Sequence, residues 1–256
     1  MKSKTKVLRA RSQSWDPVAS WYAGWAGRNG SHYHRTIAVP LMLELLDIKG
    51  GERLADLGCG HGILAPPVAD LGARYIGVDL SSRLLAEARR HHARHGRFVL
   101  GDATQLPDHK LLTRGGFDAA AFLLSIQDIN PLDAAIAEAA GLLRPGGRLG
   151  LVMLHPCFRI PRQSGWGWDE GRGLKYRRLD SYLSALAVPM QEHGQGTTRS
   201  YHRPLGDYVA ALNAAGLAVT GIKEVADNPD PQDKRADKRA TREFPLFLGI
   251  KAVKLE

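Results

Sequence analysis

From residue 36 onward, short apolar runs alternate with stretches in which apolar residues recur at helical spacing. Ile37, Leu41, Leu45 and Leu46 mark a helix between Thr36 and Asp47, closed by Gly50-Gly51. Apolar runs near 52–57 (ERLADL), 74–79 (RYIGVD), 97–101 (RFVLG), 117–124 (FDAAAFLL) and 147–154 (GRLGLVML) predict strands. Helical patterns near 63–71, 82–94, 108–113 and 131–143 fill the intervals. Such alternation predicts an α/β fold, a mostly parallel sheet covered by helices, and right-handed crossovers stack the units into one doubly wound sheet. A last helix over about 205–215 ends at Gly216 and leads into strands near 217–225 and 246–254.

Three segments fall outside this rhythm. Residues 1–14 are polar and basic without a period, which predicts a tail that orders only around Trp15. Trp15, Trp21, Tyr22, Trp25 and Tyr33 follow, so 1–35 reads as a basic tail and an aromatic N-terminal cover ahead of one domain, 36–256. From Pro156 to Ser200 the pattern dissolves into Gly, Trp, Arg and Pro, too long for a simple connection, and 156–203 is expected to be a lid insertion. The stretch NPDPQDKRADKRATRE between the last two strands reads as a solvated loop.

Composition narrows the possibilities without choosing among them. With 256 residues, 44% hydrophobic and 24% charged, the chain has the make-up of a globular domain rather than of a disordered one. Lys and Arg exceed Asp and Glu by 35 to 26, a net +9 that suits nucleic acid or an acidic small molecule. Cys59 and Cys157 form no CxxC pair, so neither a disulfide framework nor a structural zinc site is expected. No apolar run reaches about 18 residues and no signal-peptide pattern is present, so a cytoplasmic protein without membrane attachment is expected.

The chemistry concentrates in LADLGCGHG, residues 54–62, where Gly58, Cys59 and Gly60 stand between a strand and a helix. Glycines there let the backbone approach a ligand, and the helix start offers free N–H groups. The spacing is GxGxG rather than GxGxxG, and no Gly-Lys-Ser/Thr follows, which argues against a P-loop. Asp56, two residues upstream, suits a ligand with an ammonium group. Asp79 ends the next strand, where an acidic side chain can accept ribose hydroxyls, and Asp102 ends the third. Three carboxylates therefore meet one crevice at the carboxyl ends of the strands.

LADLGCGHG, GVDLS, GDATQLP, FDAAAFLLSIQDI and LLRPGGRL, within residues 54–149, resemble the successive motifs of the class I S-adenosylmethionine-dependent methyltransferases. The resemblance implies S-adenosylmethionine as cofactor, S-adenosylhomocysteine as product, and seven strands with the last antiparallel. It also implies that Gly58 and Gly60 line the methionine part with Asp56 near its amino group. Asp79 then meets the ribose, Leu80 packs on the adenine, Asp102 and Ala103 face its amino edge, and the backbone of Phe122 and Leu123 approaches the methionine end. Pro66-Pro67 depart from the pattern, and predict that the helix after the glycine loop starts late or kinks.

For the acceptor, His155 follows the fifth strand and is a candidate base, with a histidine that merely shapes the lid as the alternative. Two ligands, His155 and Cys157, do not make a metal site. Gln127 and Tyr22 are candidates to orient or activate the acceptor, and Tyr33, Arg159, Tyr201, His202 and Arg203 to bind it, with Arg159, Arg162 and Arg203 suited to an acidic group. HPCF and YHRPL resemble a bacterial small-molecule subgroup. His91, His92 and His95 are expected to lie exposed on an outer helix. A small-molecule methyltransferase directed to a hydroxyl or carboxylate oxygen is the leading expectation. The alternatives are N-methylation of a small molecule or peptide, an RNA or DNA methyltransferase, and a cofactor-binding protein without turnover. The usual Asn/Asp-Pro-Pro-aromatic motif of amino-directed nucleic-acid enzymes is replaced here by LSIQD.

Overall fold

The computed structural model describes residues 15–192, 196–226 and 236–256; the expected N-terminal tail lies outside them. Five strands, β1 (Arg53–Leu57), β2 (Arg74–Asp79), β3 (Gly96–Leu100), β4 (Phe117–Leu123) and β5 (Leu143–Leu154), pair in parallel. With β10 (Leu217–Ala226) and β11 (Pro245–Lys254) they form a seven-stranded sheet of order β10-β11-β5-β4-β1-β2-β3, and β11 runs antiparallel to both its neighbours.

The alternation of strand side chains explains the layers. Ala55, Leu57, Ala120 and Phe122 face one side, where α5 (Leu132–Leu142) and α6 (Leu205–Ala214) pack through Ala135, Ile136, Ala139, Tyr208 and Leu212. Leu54, Ala119 and Ala121 face the other, against α2 (Val39–Leu46), α3 (Ala65–Asp70) and α4 (Ser82–His92), which contribute Leu41, Leu45, Val68, Leu85 and Ala88. The chain thus changes sides between β1 and β4, which opens a crevice at their carboxyl ends. Pro66 and Pro67 sit in the first turn of α3, where their missing N–H groups are not needed, so this helix starts late as its sequence predicts.

Several elements differ from the sequence expectation. Residues 108–113 form turns rather than a helix, because Leu111 N donates to His109 Nδ1 and Leu112 N to His109 O, local bonds that compete with a helical ladder. A π-helical turn, His34–Ala38, precedes α2. The insertion after β5 is not irregular. It holds two hairpins, β6 (Ser164–Asp169) with β7 (Leu174–Leu179) and β8 (Leu186–Glu192) with β9 (Gly196–His202). Part of the charged stretch before β11 is α7 (Ala236–Glu243) rather than loop. His92 is buried rather than exposed, because its Nε2 bonds the carbonyl of Arg28 at 3.3 Å. That carbonyl belongs to the segment after α1 (Ala19–Ala26), the helix of the N-terminal cover. Among the described residues no helix is long and apolar enough to cross a membrane.

Candidate active site

The crevice is a cavity of about 310 Å³ with a polar floor from the sheet and an aromatic roof. The floor begins where β1 ends. Gly58 N and Cys59 N both donate to Val78 O, at 2.8 and 3.0 Å, which folds the glycine loop back over β2. Asp79 fixes that fold: Oδ2 accepts from Gly60 N at 2.7 Å and Oδ1 from Ser81 N at 2.8 Å. One carboxylate therefore shapes both the glycine loop and the start of α4, which Ser81 Oγ caps by accepting from Leu84 N. Burial pushes the Asp79 carboxyl up to about 6, opposed by the backbone N–H groups it accepts from.

Asp56 lies deeper, 1% exposed, with Oδ2 accepting from Tyr75 Oη at 2.6 Å and Oδ1 without a partner among the described residues. Burial pushes its carboxyl up to about 7, the Tyr75 bond opposing and the nearby Asp79 charge adding to it. A buried acceptor left open costs stability unless something arrives to use it. An acid whose folded pKa lies above its unfolded value holds a proton that the unfolded chain has released, so this site's contribution to stability falls as pH rises from about 4 through 7. Asp56→Asn is expected to raise the melting temperature of the ligand-free protein by roughly 3–10 °C at pH 8. The gap over the parent should widen between pH 5 and pH 7 and level off above it in a thermal-shift series. A gap that narrows with pH contradicts the assignment.

Asp102 lines the same cavity, its Oδ1 held by Thr104 N at 2.8 Å and Thr104 Oγ1 at 2.7 Å, beside Gly101, Ala103 and Leu80. The structure thus brings Asp56, Gly58, Cys59, Gly60, Asp79, Leu80, Asp102, Ala103 and Leu123 to one cavity wall. The Cys59 thiol is buried and pushed well up, so it serves as packing. Phe122 does not reach the wall. Its side chain is fully buried in the core against α5, and Leu123, Leu124 and Ser125 take its place. Leu124 adopts a left-handed conformation, φ 53°, which turns the chain after β4 along the cavity.

The roof comes from two distant parts of the chain. Trp15, Tyr22, Trp25 and Tyr33 line it from the N-terminal cover, and Met190, Thr198 and Ser200 from the β8–β9 hairpin. Tyr22 packs edge-on against Trp15 at 5.2 Å and His61 at 5.5 Å, and its hydroxyl is 3.5 Å from His34 Nε2. Burial first, then the charges of Asp128 and Asp79, push its phenol well up, so Tyr22 stays protonated. Asp16 ties the cover down by accepting from Ser81 Oγ at 2.5 Å and Arg83 N at 3.1 Å at the start of α4. His61 Nε2 bonds Gly27 O at 3.1 Å, and His92 does the same for Arg28.

Among the acceptor candidates the structure divides the list. Tyr22, Tyr33, Gln127 and Arg159 line the cavity. Gln127 Nε2 donates to Leu124 O at 2.6 Å and leaves Oε1 buried without a partner among the described residues, while the Arg159 guanidinium lies 5.6 Å over the Phe247 ring. His155, Tyr201, His202 and Arg203 do not line it. His155 is 2% exposed and committed on both nitrogens, with Nε2 2.7 Å from Glu224 Oε1 and Nδ1 accepting from Cys157 N at 3.1 Å. No lone pair remains for an acceptor. Its carbonyl instead takes Arg159 N at 2.8 Å, so His155 shapes the turn that carries Arg159. His202 Nε2 bonds Tyr182 O at 2.6 Å, and Tyr201 carries the Arg203 guanidinium 5.1 Å over its ring. Arg203 is buried and donates to Ile129 O at 2.7 Å and Asn130 Oδ1 at 3.1 Å, and Arg162 to Pro189 O at 2.9 Å, so these two arginines brace the backbone. Sequence reasoning passed over Asp128, which lines the cavity within hydrogen-bonding reach of Ser200.

The comparisons agree with this geometry. The profile of a family described as "Methyltransferase domain" matches residues 55–151. A demethylmenaquinone methyltransferase of Beutenbergia cavernae is 36% identical over 189 residues, 72% of this chain and 72% of that protein. A malonyl-[acyl-carrier protein] O-methyltransferase of Enterobacter lignolyticus is 30% identical over 209 residues, 77% of this chain and 79% of that one. The crystal structure of an S-adenosylmethionine-dependent methyltransferase from Mesorhizobium loti superposes with a TM-score of 0.69 at 26% identity, covering 89% of this chain and all of that one. The cavity suits such a cofactor: Asp56, one of its lining residues, keeps a buried Oδ1 without a partner among the described residues, which a cationic amine would satisfy, and a Cβ on Gly60 would project into space bounded within 4 Å only by Tyr22 Cε1 at 4.0 Å. A glycine loop held by Asp79, an open carboxylate beneath it and relatives matched over most of their length lead to one conclusion: the chain belongs to the class I S-adenosylmethionine-dependent methyltransferases.

Proposed function

We propose that this enzyme methylates an oxygen of a small, largely apolar acceptor held under the aromatic roof. The observation that carries the reading is the division of the cavity into a carboxylate-and-glycine floor and an aromatic roof of Trp15, Tyr22, Trp25 and Tyr33. Bound S-adenosylmethionine would supply an electrophilic methyl carbon on a sulfonium, with a neutral thioether as the leaving group. In this reading Asp56 takes the cofactor's ammonium, Asp79 the ribose hydroxyls, Leu80 the adenine face, and Asp102 with Ala103 the adenine's amino edge. Gly58, Gly60 and the backbone from Leu123 leave room for the methionine portion. The aromatic side chains exclude water and favour positive charge near their faces. Arg159 is the cation best placed for an acidic group on the acceptor.

The two relatives support a small acceptor group, since by name one is a demethylmenaquinone methyltransferase and the other a malonyl-[acyl-carrier protein] O-methyltransferase. The +9 charge favours an anionic partner but not RNA in particular. The test is incubation with S-adenosylmethionine and a panel of hydroxylated aromatics, short acyl thioesters with a free carboxylate, amines and RNA. Products are read by mass and by release of S-adenosylhomocysteine. Oxygen-methylated products from one or other of the first two classes are expected. Methylation confined to amines or RNA overturns the reading. Asp56→Asn, folded and more heat-stable, should bind the cofactor ~10–100-fold more weakly in calorimetry, the loss of one charge-assisted hydrogen bond.

A further inference from the structure

Four aspartates line the cavity, and three have duties on its floor. Asp128 stands apart from them. It ends the short turn Ile126–Asp128 after β4, which packs against β9, and it lines the cavity together with Ser200 of β9 and Tyr22 of the cover. Ser200 lies within hydrogen-bonding reach of its carboxylate. Arg203, fixed to Ile129 O and Asn130 Oδ1, is the nearby positive charge that favours its ionised form. Among the described residues Asp128 has no ion-pair partner within contact distance. A carboxylate kept at a cavity wall with no counter-ion in contact is costly to retain as structure alone.

We propose that Asp128 is the general base of the reaction, taking the proton from a hydroxyl of the acceptor while Ser200 holds the carboxylate and Tyr22 closes over it. The acceptor is then a hydroxyl compound, a phenol or enol, rather than a carboxylate, which has no proton to give up. The acceptor oxygen bonds to the methyl carbon, the carbon–sulfur bond breaks with its electron pair left on sulfur, and the hydroxyl proton moves onto Asp128. The proton exchanges with solvent when the roof opens. Burial holds the Asp128 carboxyl up to about 7, with Ser200 and Arg203 opposing, which suits a base that must accept a proton and release it near neutral pH.

This role rests on the proposed oxygen transfer, and the experiment separates the two. In protein labelled with 13C at aspartate carboxyls and saturated with S-adenosylhomocysteine, one resonance should titrate near pH 7 and vanish in Asp128→Asn. With a hydroxyl acceptor from the panel, parent kcat/KM should rise with pH to a plateau above about 7. In Asp128→Asn it should fall ~100-fold or more at pH 7, with acceptor affinity within about threefold of the parent and a rate that keeps climbing with pH. Ser200→Ala, which leaves Asp128 in place but removes its stabilising bond, should move the inflection upward. Equal rates in parent and Asp128→Asn overturn the assignment alone, as does a loss confined to acceptor affinity. Absence of a resonance titrating between pH 6 and 8 also overturns it. Failure of the parent to methylate any hydroxyl acceptor overturns the functional reading and this role together.

Discussion

Asp79→Ala is expected to abolish measurable binding of S-adenosylmethionine, an affinity loss of ~100-fold or more in calorimetry. The side chain accepts from Gly60 N at 2.7 Å and from Ser81 N at 2.8 Å, so its removal unpins the glycine loop and the first turn of α4 at once. Each charge-assisted bond contributes about 1.5–3 kcal/mol, and in the proposed arrangement the contact to the ribose hydroxyls goes with them. Asp79→Asn, with a single acceptor oxygen, should fall between. The preparations must be freed of carried-over cofactor, checked by mass spectrometry of the denatured protein. An alanine variant that binds within about threefold of the parent would mean that the loop is held by other bonds.

Gly58→Ala and Gly60→Ala should fail in different ways although they stand two residues apart. Both positions have positive φ, 71° and 55°, so both substitutions incur backbone strain of about 1–2 kcal/mol. A Cβ at Gly58 would come 2.7 Å from Ser125 Cβ, and Ser125 Oγ donates to Leu57 O at 2.8 Å, so the clash also strains the seam between β1 and the chain after β4. Overpacking there adds about 1–3 kcal/mol, and a fall in melting temperature of roughly 5–15 °C is expected. At Gly60 the Cβ meets only Tyr22 Cε1 at 4.0 Å and projects into the cavity. That variant should stay folded, melt within about 5 °C of the parent, and lose cofactor affinity ~10-fold or more. Equal melting temperatures for the two would show that Ser125 moves aside freely.

The floor of the site was legible because every part of it is local. A strand ending in Asp56-Leu57 ahead of Gly58, a second ending in Asp79 and a third followed closely by Asp102 need only the period of the strands to be brought to one edge. The acceptor side was not, because it depends on where long-range segments dock. His155 and His202 read as free imidazoles until Glu224 of β10 and the carbonyl of Tyr182 claim them. Arg203 reads as a substrate cation until it meets the carbonyls after β4. Asp128 was hidden because nothing in LSIQD distinguishes a cavity carboxylate from a turn residue. What distinguishes it is the left-handed Leu124 upstream and Ser200, 72 positions downstream. The β6–β7 hairpin escaped notice for a different reason: Gly165, Gly167, Arg177 and Arg178 interrupt the apolar alternation, and Trp166 is packed instead by Lys175 and Arg177 above its ring, each at 5.0 Å. The helix α7 carries charge at five of its eight positions and gives no broad apolar stripe to read.

The two histidines that fasten the cover grip main-chain oxygens, at Gly27 and Arg28, and no side chain of the cover takes part in either bond. The two imidazole bonds and the Asp16 carboxylate thus hold the cover without calling on the aromatic side chains that line the cavity. Closure and selectivity are thus written in separate alphabets along one short segment. Exchanging Trp15, Trp25 or Tyr33 for other bulky residues would re-cut the pocket while the same two imidazoles still hold the roof shut, a ready route by which one scaffold diversifies toward new acceptors.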